Sequence, residues 1–228
     1  MAAKYPSFSP YVYCANNPIK LVDPNGEEYE VVVDNEKKTM TIRAVYYTAN
    51  ENKEKLQKGL DAWNELSGKY SFVTGKGKDK QSYTINFELT IAEGDFETKF
   101  DAATAMPLDG KSNLFEITTD FGQGEKVNES AKGITKGGKH IMVKPDAPNR
   151  TIAHEIGHSI GIGHFPDGLM ETGGSGSSIS PNNISSSLRG AGIIRMGTSI
   201  GTREYEGTDA KSRTQFKMYG EIKRNQTW

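Results

Sequence analysis

Cysteine is nearly missing from this 228-residue sequence: Cys14 stands alone, so no internal disulfide can form and a disulfide-stapled secreted scaffold is excluded. Long apolar runs are missing as well. No stretch approaches the roughly 18 apolar residues of a membrane span, and Met1-Ala2-Ala3-Lys4 leads into no apolar run of signal-peptide type. An excess of one charge is also absent. Lys and Arg number 28 against 29 Asp and Glu, and a net charge of -1 supplies no cationic field for gripping a nucleic-acid backbone. The expectation is therefore no nucleic-acid partner and no membrane span. Histidine is scarce too, with four in the chain, so where those four fall is informative.

What is present suffices for a packed unit. Apolar residues make up 35% of the chain, with two Trp, ten Tyr and nine Phe to fill a core. Twenty-five glycines point to many turns and irregular loops rather than a helical bundle. Tyr29 to Val33 and Thr39 to Tyr47 gather β-branched and aromatic residues around Asp34-Asn35-Glu36, which predicts a hairpin. Asn50 to Leu66 places Leu56, Leu60 and Trp63 on one helical stripe, with Gly68 just beyond its end. Strands are expected at Tyr70 to Val73, at Tyr83 to Ile91 and within Lys139 to Lys144, with Gly75 to Lys80 as a solvated loop. Residues 92–138 read as loop-rich, with apolar patches at Leu114 to Ile117 and near Ile134. Ser180-Pro181 pairs an N-cap with proline at the first helical position and opens a helix through Ile184 to Arg189. The tail, with Arg195, Arg203, Lys211, Arg213, Lys217, Lys223 and Arg224, reads as a solvated basic face.

Three of the four histidines fall in one short run, His154-Glu155-Ile156-Gly157-His158-Ser159-Ile160-Gly161-Ile162-Gly163-His164. By chance, HExxHxxGxxH is expected in a chain of this composition with a probability on the order of one in a hundred thousand. On a helix, residues four apart share a face, so the imidazoles of His154 and His158 can converge on one ion. Ile152, Ile156 and Ile160 keep the same spacing on the opposite face and can pack inward. Gly161 stands where the chain must leave the helix and turn to bring His164 back, a turn that a residue without Cβ makes at low cost. Three neutral imidazoles leave a tetrahedral Zn²⁺ one open position, the arrangement of a catalytic rather than a closed structural site. Glu155 neighbours a ligand without being one. It can accept a proton from a water activated by the ion and pass it to a leaving amine.

The motif resembles that of the metzincin clan of zinc endopeptidases, and the wording HEIGHSIGIGH is closest to its matrixin-like branch. The resemblance implies an α+β zincin fold, with a twisted mixed β-sheet and two long helices, Asn50 to Leu66 and the active-site helix. A metallopeptidase domain over residues 28–228 follows from it, with an N-terminal subdomain to about residue 163 and a small C-terminal subdomain from about 164. Zinc is the implied cofactor, held by His154, His158 and His164, with Glu155 as general base. A Met-turn at Asp167-Gly168-Leu169-Met170 is also implied, in which Met170 floors the metal without ligating it. The implied partner is a protein or peptide substrate lying extended along an edge strand, for which both His140 to Lys144 and Lys132 to Lys136 remain open. Residues after Met170, Glu171 and Thr172 among them, are expected to wall the substrate site. The likeness spans residue 29 to about 190 and is strongest over residues 150–170. It departs from the clan at Phe165, after the third histidine, and in having no Tyr shortly after Met170 to assist an oxyanion.

Ahead of this domain, SPYVYCANNPIKLVDPNGE at residues 9–27 resembles the closing segment of the core domain of Rhs-repeat proteins. Residues 1–27 accordingly read as a leader, ending in the turn Asp23-Pro24-Asn25-Gly26. That resemblance implies a secreted or injected toxin domain, exported as part of a larger Rhs-like protein, with an immunity or inhibitor protein as a further partner. Two other readings stay open: a self-processing domain that cleaves its parent near the Asp23 to Gly26 turn, and a silent binding module that keeps zinc for structure. The matrixin-like branch also suggests a latency role for Cys14, its thiolate taking the open zinc position, but the sequence around Cys14 does not resemble the matrixin switch motif.

Overall fold

The computed structural model describes residues 29–107, 111–122, 130–191, 193–196 and 218–225, and over these it is an α+β fold with one mixed sheet and four α-helices. The leader with Cys14 and much of the basic tail lie outside the described residues. The expected hairpin is present. Strands β1 (Glu30–Asp34) and β2 (Thr39–Tyr47) pair antiparallel. In the turn between them the Asp34 carboxylate accepts from the backbone N–H of Glu36 at 3.0 Å and Lys37 at 2.9 Å, and Lys38 takes a φ of 54°.

Strand β2 is the hub of the sheet. One edge pairs in parallel with β4 (Gln81–Ile91), and the other is shared between β1 at its start and β5 (Ser112–Ile117) at its end. Strand β7 (His140–Val143) runs parallel to β5, and β6 (Gly133–Lys136) pairs antiparallel with β7 and ends the sheet. In the other direction β3 (Tyr70–Thr74) pairs with β4, β9 (Met218–Arg224) pairs with β3, and β8 (Ile194–Met196) closes the order β6-β7-β5-β2-β4-β3-β9-β8. The C-terminal strands thus extend the sheet built by the N-terminal half. Strand β3 explains why. Without β9 its backbone would be a bare edge, and the partner brings Ile222 opposite the fully buried Phe72.

Alternation along β2 divides the core in two. Ala44 and Tyr46 face the large core, covered by helices α1 (Lys53–Asn64) and α3 (Asn149–Ser159), while Val45 and Tyr47 face a smaller cluster around Phe96 and Ala102. Leu56, Leu60 and Trp63 of α1 are fully buried, as the stripe predicted, and each leucine so buried contributes about 1.5–3 kcal/mol. The two helices cross where Gly59 backs onto Ile152 and Ile156 with no room for a Cβ, and Trp63 Nε1 donates to the Ala153 carbonyl at 2.8 Å. Helix α2 (Lys99–Ala105) covers the outer cluster, within the stretch expected to be loop. Its start was written in the sequence as Thr98 and Asp101, which form a capping box. Helix α4 (Pro181–Gly190) begins where Ser180-Pro181 predicted. No helix among the described residues is long and apolar enough to cross a membrane.

Candidate metal centre

Helix α3 carries His154 and His158 on one face and buries Ile152 and Ile156 on the other, so its orientation is set by the core. Its last turn is closed by a Schellman motif: Gly161 N–H donates to the His158 carbonyl at 3.1 Å and Ile162 N–H to the Gly157 carbonyl at 3.0 Å. Gly161 has a φ of 78°, and any Cβ there would strike the Tyr29 ring, so both conformation and space demand glycine. This turn does chemical work as well. It delivers the Ile162 carbonyl to His158 Nδ1 at 2.7 Å and sends the chain back so that His164 meets the other two imidazoles.

His154 is oriented in the same manner, its Nδ1 lying 2.7 Å from the Leu169 carbonyl. A carbonyl oxygen can only accept, so both Nδ1 atoms carry the proton. Burial lowers the pKa of His154 and brings that of His158 down to about 4, opposed in each case by the carbonyl hydrogen bond and reinforced by His164 and Arg150 at His154 and by His154 and His164 at His158. Both rings are therefore neutral near pH 7, with a bare lone pair on each Nε2. Those two Nε2 atoms face each other 3.1 Å apart. Without a cation between them the lone pairs repel. Two ligands about 2.0–2.1 Å from a tetrahedral ion would stand about 3.3 Å apart, close to what is seen. The rings of His158 and His164 meet edge to face at 4.7 Å, and one ligand atom from each of the three histidines lies within 4.8 Å of the others. His154, His158 and His164 form a group that could hold a metal ion, and it is the one such cluster of His, Cys, Asp and Glu among the described residues.

Met170 packs against the ligand helix at Gly157. It is fully buried in a tight turn closed by Glu171 N–H to the Gly168 carbonyl at 3.3 Å, and its sulfur occupies the space that a Cβ on Gly157 would need. Glycine between the two helical ligands is thus what lets Met170 approach.

Glu155 points from α3 toward β6. Its carboxylate accepts a hydrogen bond from Thr135 Oγ1 at 2.8 Å, and no cation pairs with it among the described residues. Burial pushes its pKa up to about 7 against the lowering pull of Thr135. Gly133, two residues earlier on the same face of β6, makes room for it: a Cβ there would meet Glu155 Cγ at 2.9 Å and Thr151 Cγ2 at 2.8 Å. A cleft of about 670 Å³ runs between β6 and the segment after Met170, and reaches all three histidines and Glu155. Of the two segments open for the substrate edge, β7 is enclosed between β5 and β6, while β6 both ends the sheet and lines the cleft. Thr172 lines the cleft as expected, along with Gly173 and Gly174. The side chain of Glu171 instead packs over Gly174.

Two residues at the site escaped the sequence reading. Thr135 is twenty residues upstream of Glu155 and had no local signal. Arg150 had one, because it precedes His154 by four and so shares the ligand face of α3. Its guanidinium donates to the carbonyls of Gly176 at 2.6 Å, Gly168 at 3.1 Å, Leu169 at 3.2 Å and Glu171 at 3.2 Å. Leu169 O therefore serves both Arg150 and His154. Comparison of the chain with family models, with curated proteins and with solved structures finds no match.

Proposed function

We propose that the chain is a zinc-dependent endopeptidase of metzincin type, and that it is the toxin domain of an exported Rhs-like protein. The observation that carries the enzymatic reading is the convergence of three histidine side chains, two of them with the ring proton held on Nδ1 by a carbonyl so that Nε2 is left bare, beside a carboxylate that no cation among the described residues pairs with. Zinc bound by His154, His158 and His164 would polarise a peptide carbonyl and make a water acidic enough to lose its proton near pH 7.

The chain's own residues supply the rest. Glu155 takes the proton from the attacking water at a carboxylate oxygen and gives it to the departing amine, a role worth about 10²- to 10⁴-fold in rate. Thr135 Oγ1 holds that carboxylate in place from the edge strand. Among the described residues no strand pairs with the outer side of β6, and its backbone donors and acceptors there suit an extended peptide, which would add to the sheet as a further strand. Met170 backs the ligand helix and fixes its height above the turn. The toxin reading rests on the sequence of residues 9–27. An uncharged carboxylate partner such as Thr135 favours catalysis over a silent module, since a purely structural site has no use for an unligated acid beside it.

The test is to incubate the zinc-loaded chain with a diverse peptide library and map cuts by mass spectrometry. Cleavage that stops with a chelator and returns with zinc is expected. Absence of cleavage by protein shown to hold one zinc would overturn the reading.

A further inference from the structure

Two cationic side chains line the cleft, Lys132 and Arg150, and they differ in how their charge is used. Lys132 pairs with Asp146. Arg150 faces neutral carbonyls: Nε and Nη2 are bonded to Gly168, Leu169, Glu171 and Gly176, no carboxylate pairs with it, and Nη1 keeps both its N–H donors without a partner among the described residues. A guanidinium clamped in this way has already lost its side-chain freedom, so a ligand that binds it meets little further entropic cost. The cleft around it is lined by the small residues Thr151, Thr172, Gly173 and Gly174, and its single carboxylate is Glu155. There is space and a positive charge, with no built-in counter-ion.

Arg150 stands one helical turn before His154, about 6 Å along the axis. The guanidinium itself stays close to the ligands, because Leu169 O accepts from Arg150 Nη2 at 3.2 Å and lies 2.7 Å from His154 Nδ1; an extended peptide advances about 3.3 Å per residue, which puts this charge one or two residues from the bond that would react. We propose that Arg150 selects substrates with an acidic side chain, Asp or Glu, within two residues of the bond that is cut, the carboxylate accepting from Nη1. This rests on the endopeptidase reading and gives it a substrate class.

The experiment uses the full zinc-loaded chain and matched peptides that differ only in Glu against Gln, or Asp against Asn, at each of the two positions on either side of a mapped cut. At one position the acidic member should be cleaved with a kcat/KM roughly tenfold higher or more, as a charge-assisted hydrogen bond predicts. In Arg150→Gln that ratio should fall to near one, and Arg150→Lys should keep part of it. A ratio is internal to each variant, so it survives any loss of folded or metal-loaded protein. A second arm measures binding of the same peptides to Glu155→Gln by fluorescence anisotropy, where the acidic member should bind more tightly and lose its lead in high salt. Equal cleavage and equal binding of both members, or a preference that persists in Arg150→Gln, would overturn the proposal. Failure to cleave any peptide would instead count against the endopeptidase reading, and the binding arm would still decide the role of Arg150.

Discussion

The protein holds two clusters of histidine around a buried glutamate on opposite sides of its sheet, and they are built to opposite ends. On the outer side, Glu116 is 2.8 Å from Lys99 Nζ and 3.5 Å from His140 Nε2, so its charge is answered by the lysine, with a neutral imidazole beside it. On the inner side, the imidazoles of His154 and His158 turn their bare nitrogens toward each other, and Glu155 receives a neutral hydroxyl. The same residue types yield an ion pair in one place and a candidate ligand set in the other. On the inner side, carbonyls at Leu169 and Ile162 fix the tautomer that leaves Nε2 free, whereas on the outer side Nε2 of His140 is turned toward the Glu116 carboxylate.

The contrast can be broken at several points. The largest effect is expected from His158→Ala, which should take zinc from one equivalent to less than half by metal analysis, while His140→Ala leaves the metal content unchanged. Equal loss in both would erase the distinction. Next is Glu155→Gln, expected to keep its zinc and lose on the order of 100-fold in turnover. Glu116→Gln should leave turnover within about twofold, and unchanged turnover in Glu155→Gln would remove that residue from the chemistry. Gly161→Ala should come third, lowering stability by about 1–3 kcal/mol in denaturant melts through its positive φ and the Tyr29 ring, and weakening zinc in a chelator competition.

The smallest effect concerns pH. Burial holds the pKa of His140 below its ordinary value, against the raising influence of Glu116, with Lys99 and Lys136 reinforcing burial. The unfolded chain therefore binds this proton more readily, and the stability due to a neutral His140 is present above the ordinary histidine pKa and lost as pH falls below it. His140→Gln should flatten the dependence of the melting temperature on pH in that window relative to wild type. A variant with an unchanged slope would show that His140 does not titrate on unfolding.

Much of the architecture was legible locally. The hairpin, the Leu56, Leu60, Trp63 stripe and the Ser180-Pro181 helix start each rest on signals a few residues long, and each appears where expected. Helix α2 was also legible in principle from Thr98 and Asp101, and was passed over among glycines and charges that suggested loop. Other features had no local trace. Strand β6 is four residues, all half-buried, and the pattern around Lys132 to Lys136 was too short and too mixed to be told from His140 to Lys144 as the edge. The joining of β9 to β3 links residues about 150 positions apart, and no pattern in either strand names the other.

At the site the same division holds. The sequence alone determined the three imidazoles, the helix that spaces two of them, the glycine where the chain bends, and the neighbouring acid, because helical periodicity and backbone conformation act over one or two turns. Tertiary structure decided the rest: which carbonyls set the histidine tautomers, that Thr135 and not a cation meets Glu155, that Arg150 spends its bonds on neutral groups, and that β6 is the open edge. Those outcomes depend on close approach between segments distant in the chain, and hydrogen bonds of about 3 Å come from packing that no local pattern encodes.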